Sequence, residues 1–471
     1  MFTEERKMDK NMKICIIGGG PAGLSAGMYL EQKGYENYTI LEKQNRVGGK
    51  CWSPYYNGRR YEMGAIMGVP SYYAVHDVEE FCGITHDGPK LNRNYKDRKG
   101  NVIEPFEPKK NITKIPRLLK MKKQLKRFGE LLETKYKGYD INGHRGVAQG
   151  RYEGFSAANA KREPVSGVNP NLKDLALPFS EFCKLNKVEL IQDIWIGPFT
   201  SFGYGYFDEI PAAYVVKYLD FQTCMNFVKI NLWTWKDGTQ SIWESLNDHL
   251  KNPARLNSNI SCVERKDGKV YVTVNGEVEE YDKIIVTSPL YVPNKEGRDD
   301  GLVGMVDYFD AREDEKKLFS KIEYERYDVL ACETKPEDHP EISYYVFDNM
   351  VPERLGHLMV YYRRWRDTVD QVITTYALRK HKNSEEIPYE KCKKMVLRDL
   401  KTMKNQASNV INEWSVYYFP HVFSNAYKDG WYDKVEAMQG KYDTYYAGEI
   451  MSFGDMDETA EYSRELVERF F

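Results

Sequence analysis

Long apolar runs are missing from this sequence. No stretch of about 18 apolar residues occurs, so nothing in it reads as a transmembrane helix. Met1 to Lys13 is charged and lacks the apolar run of a signal peptide. Paired cysteines are missing too. The eight cysteines form no CxxC pair, which excludes the usual zinc spacings and points to free thiols in a reducing, cytoplasmic compartment. Charge of one sign is also lacking: the net charge is −2, so composition offers no electrostatic case for a nucleic-acid partner. The eight histidines show no metal-ligand spacing and no general-base motif. No metal is therefore expected, and His357 and His421 are expected in the core or at its rim.

What the sequence has in abundance is aromatic side chains. It carries 36 tyrosines and 20 phenylalanines, many of them between Phe199 and Trp235. One reading is a bulky core with phenols hydrogen-bonded at its margin; the other is an aromatic-lined ligand chamber. At 471 residues the chain exceeds one simple core, so two domains are the default.

The N-terminal segment carries a dinucleotide pattern. Lys13 to Ile17 is a short apolar run of the kind buried in a parallel sheet. Gly18, Gly20 and Gly23 follow in G-x-G-x-x-G spacing, then a helical pattern from Ala22 to Lys33 that Gly34 ends. A second strand, Tyr38 to Leu41, delivers Glu42, nineteen residues past Gly23. Gly18 permits the tight turn, Gly20 lets backbone approach a pyrophosphate, and Gly23 lets helix pack on strand. The helix N-terminus offers unpaired N–H groups to phosphate, and a carboxylate at Glu42 suits a ribose diol. Farther on, Cys262 to Asp282 alternates around Asp267-Gly268, a hairpin signal, and leads into the buried strand pattern KIIVTSP from Lys283.

Segments around this pattern resemble the amine-oxidase-like flavoprotein superfamily. KQNRVGGK after Glu42 is similar to its R-x-G-G stretch, YEMGA to the segment beside the isoalloxazine, and YYAGEI to its late strand with a glycine–acid pair. The resemblance implies FAD rather than NAD. It places Arg46, Gly49 and Lys50 along the cofactor, Gly64 and Ala65 beside the ring, the backbone of Val263 at the adenine end, and Gly448 and Glu449 at the ribityl or pyrophosphate. A helix from about Asp457 to Phe470, with Asp457 as its N-cap, would follow. The implied fold is α/β: a Rossmann-type FAD-binding domain with an inserted α+β substrate-binding domain. The FAD-binding domain would be discontinuous over 12–75, 255–295 and 436–471. The substrate-binding region would take 76–254 and 296–435.

Longer stretches, among them VGGKCWSPYYNGRRYEMGAIMGVPSYY, PFTSFGYGYFDEIPAAYVVKYLDF and KVEAMQGKYDTYYAGEIMSFG, are similar to the bacterial polyenoic fatty acid double-bond isomerases. That family converts linoleic acid to conjugated linoleic acid with FAD. The resemblance implies a free polyunsaturated fatty acid as substrate. It also implies hydride abstraction to flavin N5 and return at another carbon, so no side chain is expected to be catalytic in itself. It places the carboxylate at Arg93, with Phe202 closing over the arginine as a gate and Phe227 touching the carboxylate. Aromatic faces for a cationic intermediate are sought among Phe199, Phe202, Tyr204, Tyr206, Phe207, Tyr214, Tyr218, Phe221, Phe227, Trp233 and Trp235. Two stretches depart from the family pattern: a Gly/Asn/Ser-rich one near 144–173, read as a mobile surface loop, and a charged excursion at 294–304. Residues 109–127 carry nine basic and no acidic residues with apolar positions on one helical face. They read as a solvated helix or as a peripheral contact with an anionic membrane. Two other functions share the nucleotide half. One is a flavin amine oxidase releasing peroxide, with Tyr417, Tyr418 and Trp431 on the flavin face; the other is a lipid-binding protein with structural FAD. The oligomeric state is left open.

Overall fold

The computed structural model describes residues 9–105, 115–136, 171–293, 302–334, 343–365, 371–403 and 407–471. The 144–173 stretch lies, except for 171–173, outside the described residues, as do 294–301 and 109–114.

Two sheets organise the chain. A parallel four-stranded sheet runs in the order Thr444–Tyr446, Lys283–Val286, Ile14–Ile17, Tyr38–Leu41. Every residue of Ile14–Ile17 is buried, as a central strand covered on both faces requires. The helix Pro21–Gln32 follows at once, with Pro21 in its first turn, where a missing N–H costs nothing. The last helix, Met456–Phe470, packs alongside it. Lys33 Nζ donates to the carbonyls of Val467 and Glu468, a cation placed on that helix's negative end. The N-cap of this last helix is Asp455, whose side chain accepts from Glu458 N, and not Asp457 as the spacing suggested. Asp457 sits within the first turn and accepts from Val75 N at 3.0 Å, tying the helix to a neighbouring one.

The second sheet has seven strands in the order Ala407–His421, Glu323–Thr334, Gln371–Leu378, Val360–Arg363, Ser343–Val346, Arg93–Lys96, Val102–Ile103. It is antiparallel except where Arg93–Lys96 runs parallel to Ser343–Val346. The helices between 172 and 229 pack mainly on one another, whereas Gln240–His249 packs on Tyr73–Cys82 and Pro21–Gln32. The hairpin read from the sequence is present: Ile260–Lys266 turns into Lys269–Val274 through Asp267 and Gly268, at φ +56° and +72°. Both values are positive, which is the geometry that favours an Asp-Gly pair. Among the described residues, no helix is long and apolar enough to cross a membrane.

Candidate functional site

A cavity of about 690 Å³ runs from the carboxyl ends of the parallel strands to the face of the seven-stranded sheet. Ligands of open α/β sheets bind at such strand ends.

The three glycines of the fingerprint meet three different demands. Gly18 has φ +111°, and a Cβ there would stand 2.5 Å from Thr287 Oγ1. A Cβ on Gly23 would fall 1.9 Å from Gly18 O, so only glycine lets the helix lie this close to the strand. Gly20 is different: its Cβ would meet nothing nearer than 3.7 Å, yet the residue lines the cavity. The protein itself has no need of glycine there, whereas a pyrophosphate pressed against the backbone would. That is the fit of a dinucleotide cradle.

Glu42 also lines the cavity, with its carboxylate oriented by two backbone amides: Gly19 N donates to Oε2 at 2.6 Å and Gln44 N to Oε1 at 2.7 Å. Arg46 stands behind the wall rather than in it. It donates to Gly49 O at 2.9 Å and so holds the Gly48-Gly49 loop, whose Gly49 faces the cavity across from Gly20. Burial lowers the Arg46 pKa, and the Glu42 carboxylate opposes that. Lys50 pairs with Glu449 across the cavity lining. Gly64 and Ala65 lie against Lys50 so closely that a Cβ on Gly64 would reach 1.7 Å from Lys50 O. Gly448 takes φ +91° beside Thr287 O. The placement of Val263 is a correction: it does not line the cavity. Its N–H donates to Tyr308 O and its carbonyl accepts from Asp310 N, so both backbone groups serve the β-structure. The lining at this side comes from Ser258, Asn259 and Ile260.

At the other end the wall is phenolic. Tyr72, Tyr204, Tyr218, Tyr327, Tyr376 and Tyr418 line it. Tyr327 stacks on Tyr376 and on Tyr418, at 5.6 and 5.3 Å between centroids. Burial pushes the phenol pKa values of Tyr204, Tyr218, Tyr327 and Tyr376 well above the ordinary range, so these groups stay neutral. Tyr327 donates to Ser201 O at 2.7 Å. Tyr376 Oη is buried and has no hydrogen-bond partner among the described residues. A desolvated hydroxyl left in that state costs about 1–3 kcal/mol, so it is a candidate contact for a bound molecule.

Of the aromatic segment singled out in the sequence, Phe202, Tyr204 and Tyr218 reach the cavity. Phe199, Phe207, Tyr214 and Trp235 are core residues. Of the aromatic trio considered for an amine, only Tyr418 faces the cavity. Tyr417 points to the other face of its strand under Arg326, and Trp431 is buried with its indole donating to Leu318 O. Tyr72, Tyr327, Tyr376 and Trp414 give no signal in the sequence, because each lies in a different element far from the aromatic-rich segment. His421 is buried, its Nδ1–H donating to Phe419 O, and burial pushes its pKa down to about 3.

Arg93 opens the strand Arg93–Lys96 and pairs in register with Ser343. Its guanidinium lies 5.7 Å from the Tyr95 ring, and its charge is felt at Tyr345 and Cys224. No carboxylate pairs with it among the described residues. Phe202 links this spot to the cavity: it lines the wall and contacts both Tyr345 and Phe227, at 6.3 and 6.1 Å between ring centroids. Arg93 and Phe202 thus meet at Tyr345, and Phe227 packs on Phe202.

Residues 21–452 match the family model described as flavin containing amine oxidoreductase. A CLA-producing fatty acid isomerase from P. acnes, solved by crystallography, is 48% identical, covers 99% of this chain and 100% of its own, and superposes with a TM-score of 0.86. A polyenoic fatty acid isomerase of Ptilota filicina is 25% identical over 213 residues, 43% of this chain and 39% of that protein. A 4,4'-diapophytoene desaturase (4,4'-diaponeurosporene-forming) of Staphylococcus aureus (strain MRSA252) is 25% identical over 292 residues, 59% of this chain and 55% of that protein. The chain thus spans 39% and 55% of the length of these two curated relatives.

Proposed function

This chain belongs to the flavin containing amine oxidoreductase family, and from that membership we propose that it is an FAD-dependent isomerase of polyunsaturated fatty acids, forming conjugated dienes. The observation that carries the reading is the 48% identity, over 99% of the chain, to the CLA-producing isomerase, joined to a cavity whose far end is aromatic. Gly18, Gly20, Glu42, Gly49, Lys50, Gly64, Ala65, Gly448 and Glu449, which line the cavity, would hold FAD, and the bound flavin would supply reversible hydride transfer. The strands that build this cradle support a discontinuous cofactor domain over 12–75, 255–295 and 436–471.

The side chains' part is orientation and exclusion of water. Each methylene buried in the phenolic wall contributes at most ~0.8 kcal/mol, which accumulates into affinity but does not distinguish one carbon from the next. Arg93 would set the register by taking the carboxylate, a contact of about 1.5–3 kcal/mol that marks one end of the chain. Phe202, between cavity and arginine, would close over the arginine as a gate, with Phe227 packed against it. The neutral phenol faces of Tyr204, Tyr327 and Tyr418 suit positive charge developing on the polyene. An amine substrate finds less support: the carboxylates on the cavity wall are engaged, Glu42 by Gly19 and Gln44, Glu449 by Lys50, and Asp455 by the Glu458 amide.

Substrate delivery from a membrane surface belongs to the same reading. In the helix Ile115–Glu133, Leu119 and Ile115 are 62% and 41% exposed among exposed Lys120, Lys122 and Lys123. That combination suits an anionic lipid surface. Flotation with anionic against neutral vesicles tests it, and equal recovery with both would remove it. For the reaction itself, the chain is incubated with linoleic acid while diene absorbance and oxygen uptake are followed together. Diene accumulation without stoichiometric oxygen uptake is expected. Peroxide formed one-for-one with product would overturn the reading.

A further inference from the structure

Away from the cavity, the helix Tyr73–Cys82 places His76 and Glu79 three residues apart on one face. Gly83, at φ +65°, ends the helix and turns the chain back, so that His86 returns over the same face. The ligand atoms of His76, Glu79 and His86 all lie within 4.8 Å of one another. We infer that His76, Glu79 and His86 form a binding site for one divalent transition-metal cation of zinc-like character, independent of the fatty-acid reading.

The geometry is close to what such an ion needs. His76 Nδ1 lies 2.9 Å from Glu79 Oε2, and His86 Nδ1 lies 3.3 Å from Glu79 Oε1. Zinc bonds of ~2.0–2.1 Å in a tetrahedron set ligand atoms about 3.4 Å apart, so sub-ångström to ångström shifts of the ligand atoms suffice. Both histidines are about one-third exposed, which leaves a side open for the ion and for a water as fourth ligand.

The surroundings hold the ligands in place. Buried Trp235 donates its indole N–H to Glu79 Oε1 at 2.7 Å, the kind of outer contact that orients a metal-binding carboxylate. The His86 ring stacks on Trp233 at 3.9 Å and 14°. The loop carrying His86 is pinned to the same segment: Gly88 N donates to Thr234 O, Lys236 N to Asp87, and Thr234 Oγ1 to Pro89 O. Two imidazoles and one carboxylate favour zinc, nickel or copper over magnesium. An ion here would staple the helix to the segment that runs on to Arg93.

The test uses the flavin-loaded, tag-free chain after dialysis against chelator. Zn²⁺ is titrated calorimetrically, and thermal midpoints are read with Zn²⁺ or Mg²⁺. Expected are one Zn²⁺ bound per chain, a raised midpoint, and no response to Mg²⁺. In His76→Gln/His86→Gln the stoichiometric binding should vanish while flavin absorbance and the zinc-free midpoint stay as in the parent chain. His86→Gln alone, on the surface loop, should weaken binding by about tenfold or more and serves if the double variant does not fold. Zinc binding that is absent from the parent chain, or unchanged in the folded variants, would overturn the site.

Discussion

At one end of the cavity the wall is backbone, supplied by glycines from four short loops; at the other it is side chains from strands and helices spread over some 350 residues, Tyr72 to Tyr418. The nucleotide end depends on where a Cβ is forbidden, the aromatic end on where a large ring happens to point. A backbone cradle fails when anything is added. A side-chain wall changes selectivity when something is removed. The two ends should therefore respond to mutation in different ways.

The largest expected effect sharpens that contrast within the fingerprint itself. Gly23→Val drives a side chain into the Gly18 carbonyl, which has nowhere to go, and should cost about 4 kcal/mol or more, leaving little folded protein. Gly20→Val meets no such clash, so the flavin-free chain should melt close to the flavin-free parent. It should nevertheless bind no flavin, because the added side chain fills the cradle. Differential scanning fluorimetry and the visible spectrum separate the two. A Gly20→Val chain that stays yellow would break the account of the nucleotide end.

The next effect belongs to the aromatic end. Arg93→Gln should lower kcat/KM for linoleate roughly ten- to a hundredfold, from the ~1.5–3 kcal/mol of a charge-assisted contact. It should shift substrate binding less, since the apolar tail supplies most of the affinity, and should shrink the preference for free acid over methyl ester. Lys at this position should restore only part, because an ammonium lacks the two-pronged contact. Flavin content should not change. Full activity with an unaltered acid-over-ester preference would mean that the carboxylate is held elsewhere.

The smallest effect, taken per pH unit, is one of stability and concerns His421, buried behind the aromatic wall. Its folded pKa is depressed to about 3 by burial, whereas the unfolded value is near 6.5. Between those values the unfolded chain binds a proton that the folded chain does not. Stability should therefore fall as pH drops from about 6.5 toward about 3, by up to roughly 1.4 kcal/mol per pH unit. His421→Gln should make denaturant midpoints less steep with pH in that window. An identical slope in the variant would show that His421 is not buried in its neutral form.

Much of the nucleotide end is legible in the sequence. The strand, helix and second strand appear within a residue of where the pattern puts them, and the hairpin turns at Asp267-Gly268 as read, because each follows from neighbours close along the chain; the stretch after that turn adds a further strand, Glu277–Tyr281. The cap of the last helix is displaced from Asp457 to Asp455, since two acids two residues apart both suit a cap. Val263 is harder. Its resemblance to a family position says nothing about the backbone of Tyr308 and Asp310, which take both its hydrogen bonds.

By itself, the sequence determined the dinucleotide cradle, because glycine spacing and a strand–helix–strand period act over distances of a few residues. Only the tertiary structure decided which rings make the chamber. Tyr417 and Tyr418 are adjacent, and a strand sends them to opposite faces, one onto Arg326 and one into the cavity. Period two says that they differ but not which faces inward, and that choice rests on register across the seven-stranded sheet. The same holds for His76, Glu79 and His86. Their spacing matches no familiar ligand pattern, and a left-handed turn at Gly83 brings them within reach of a single ion.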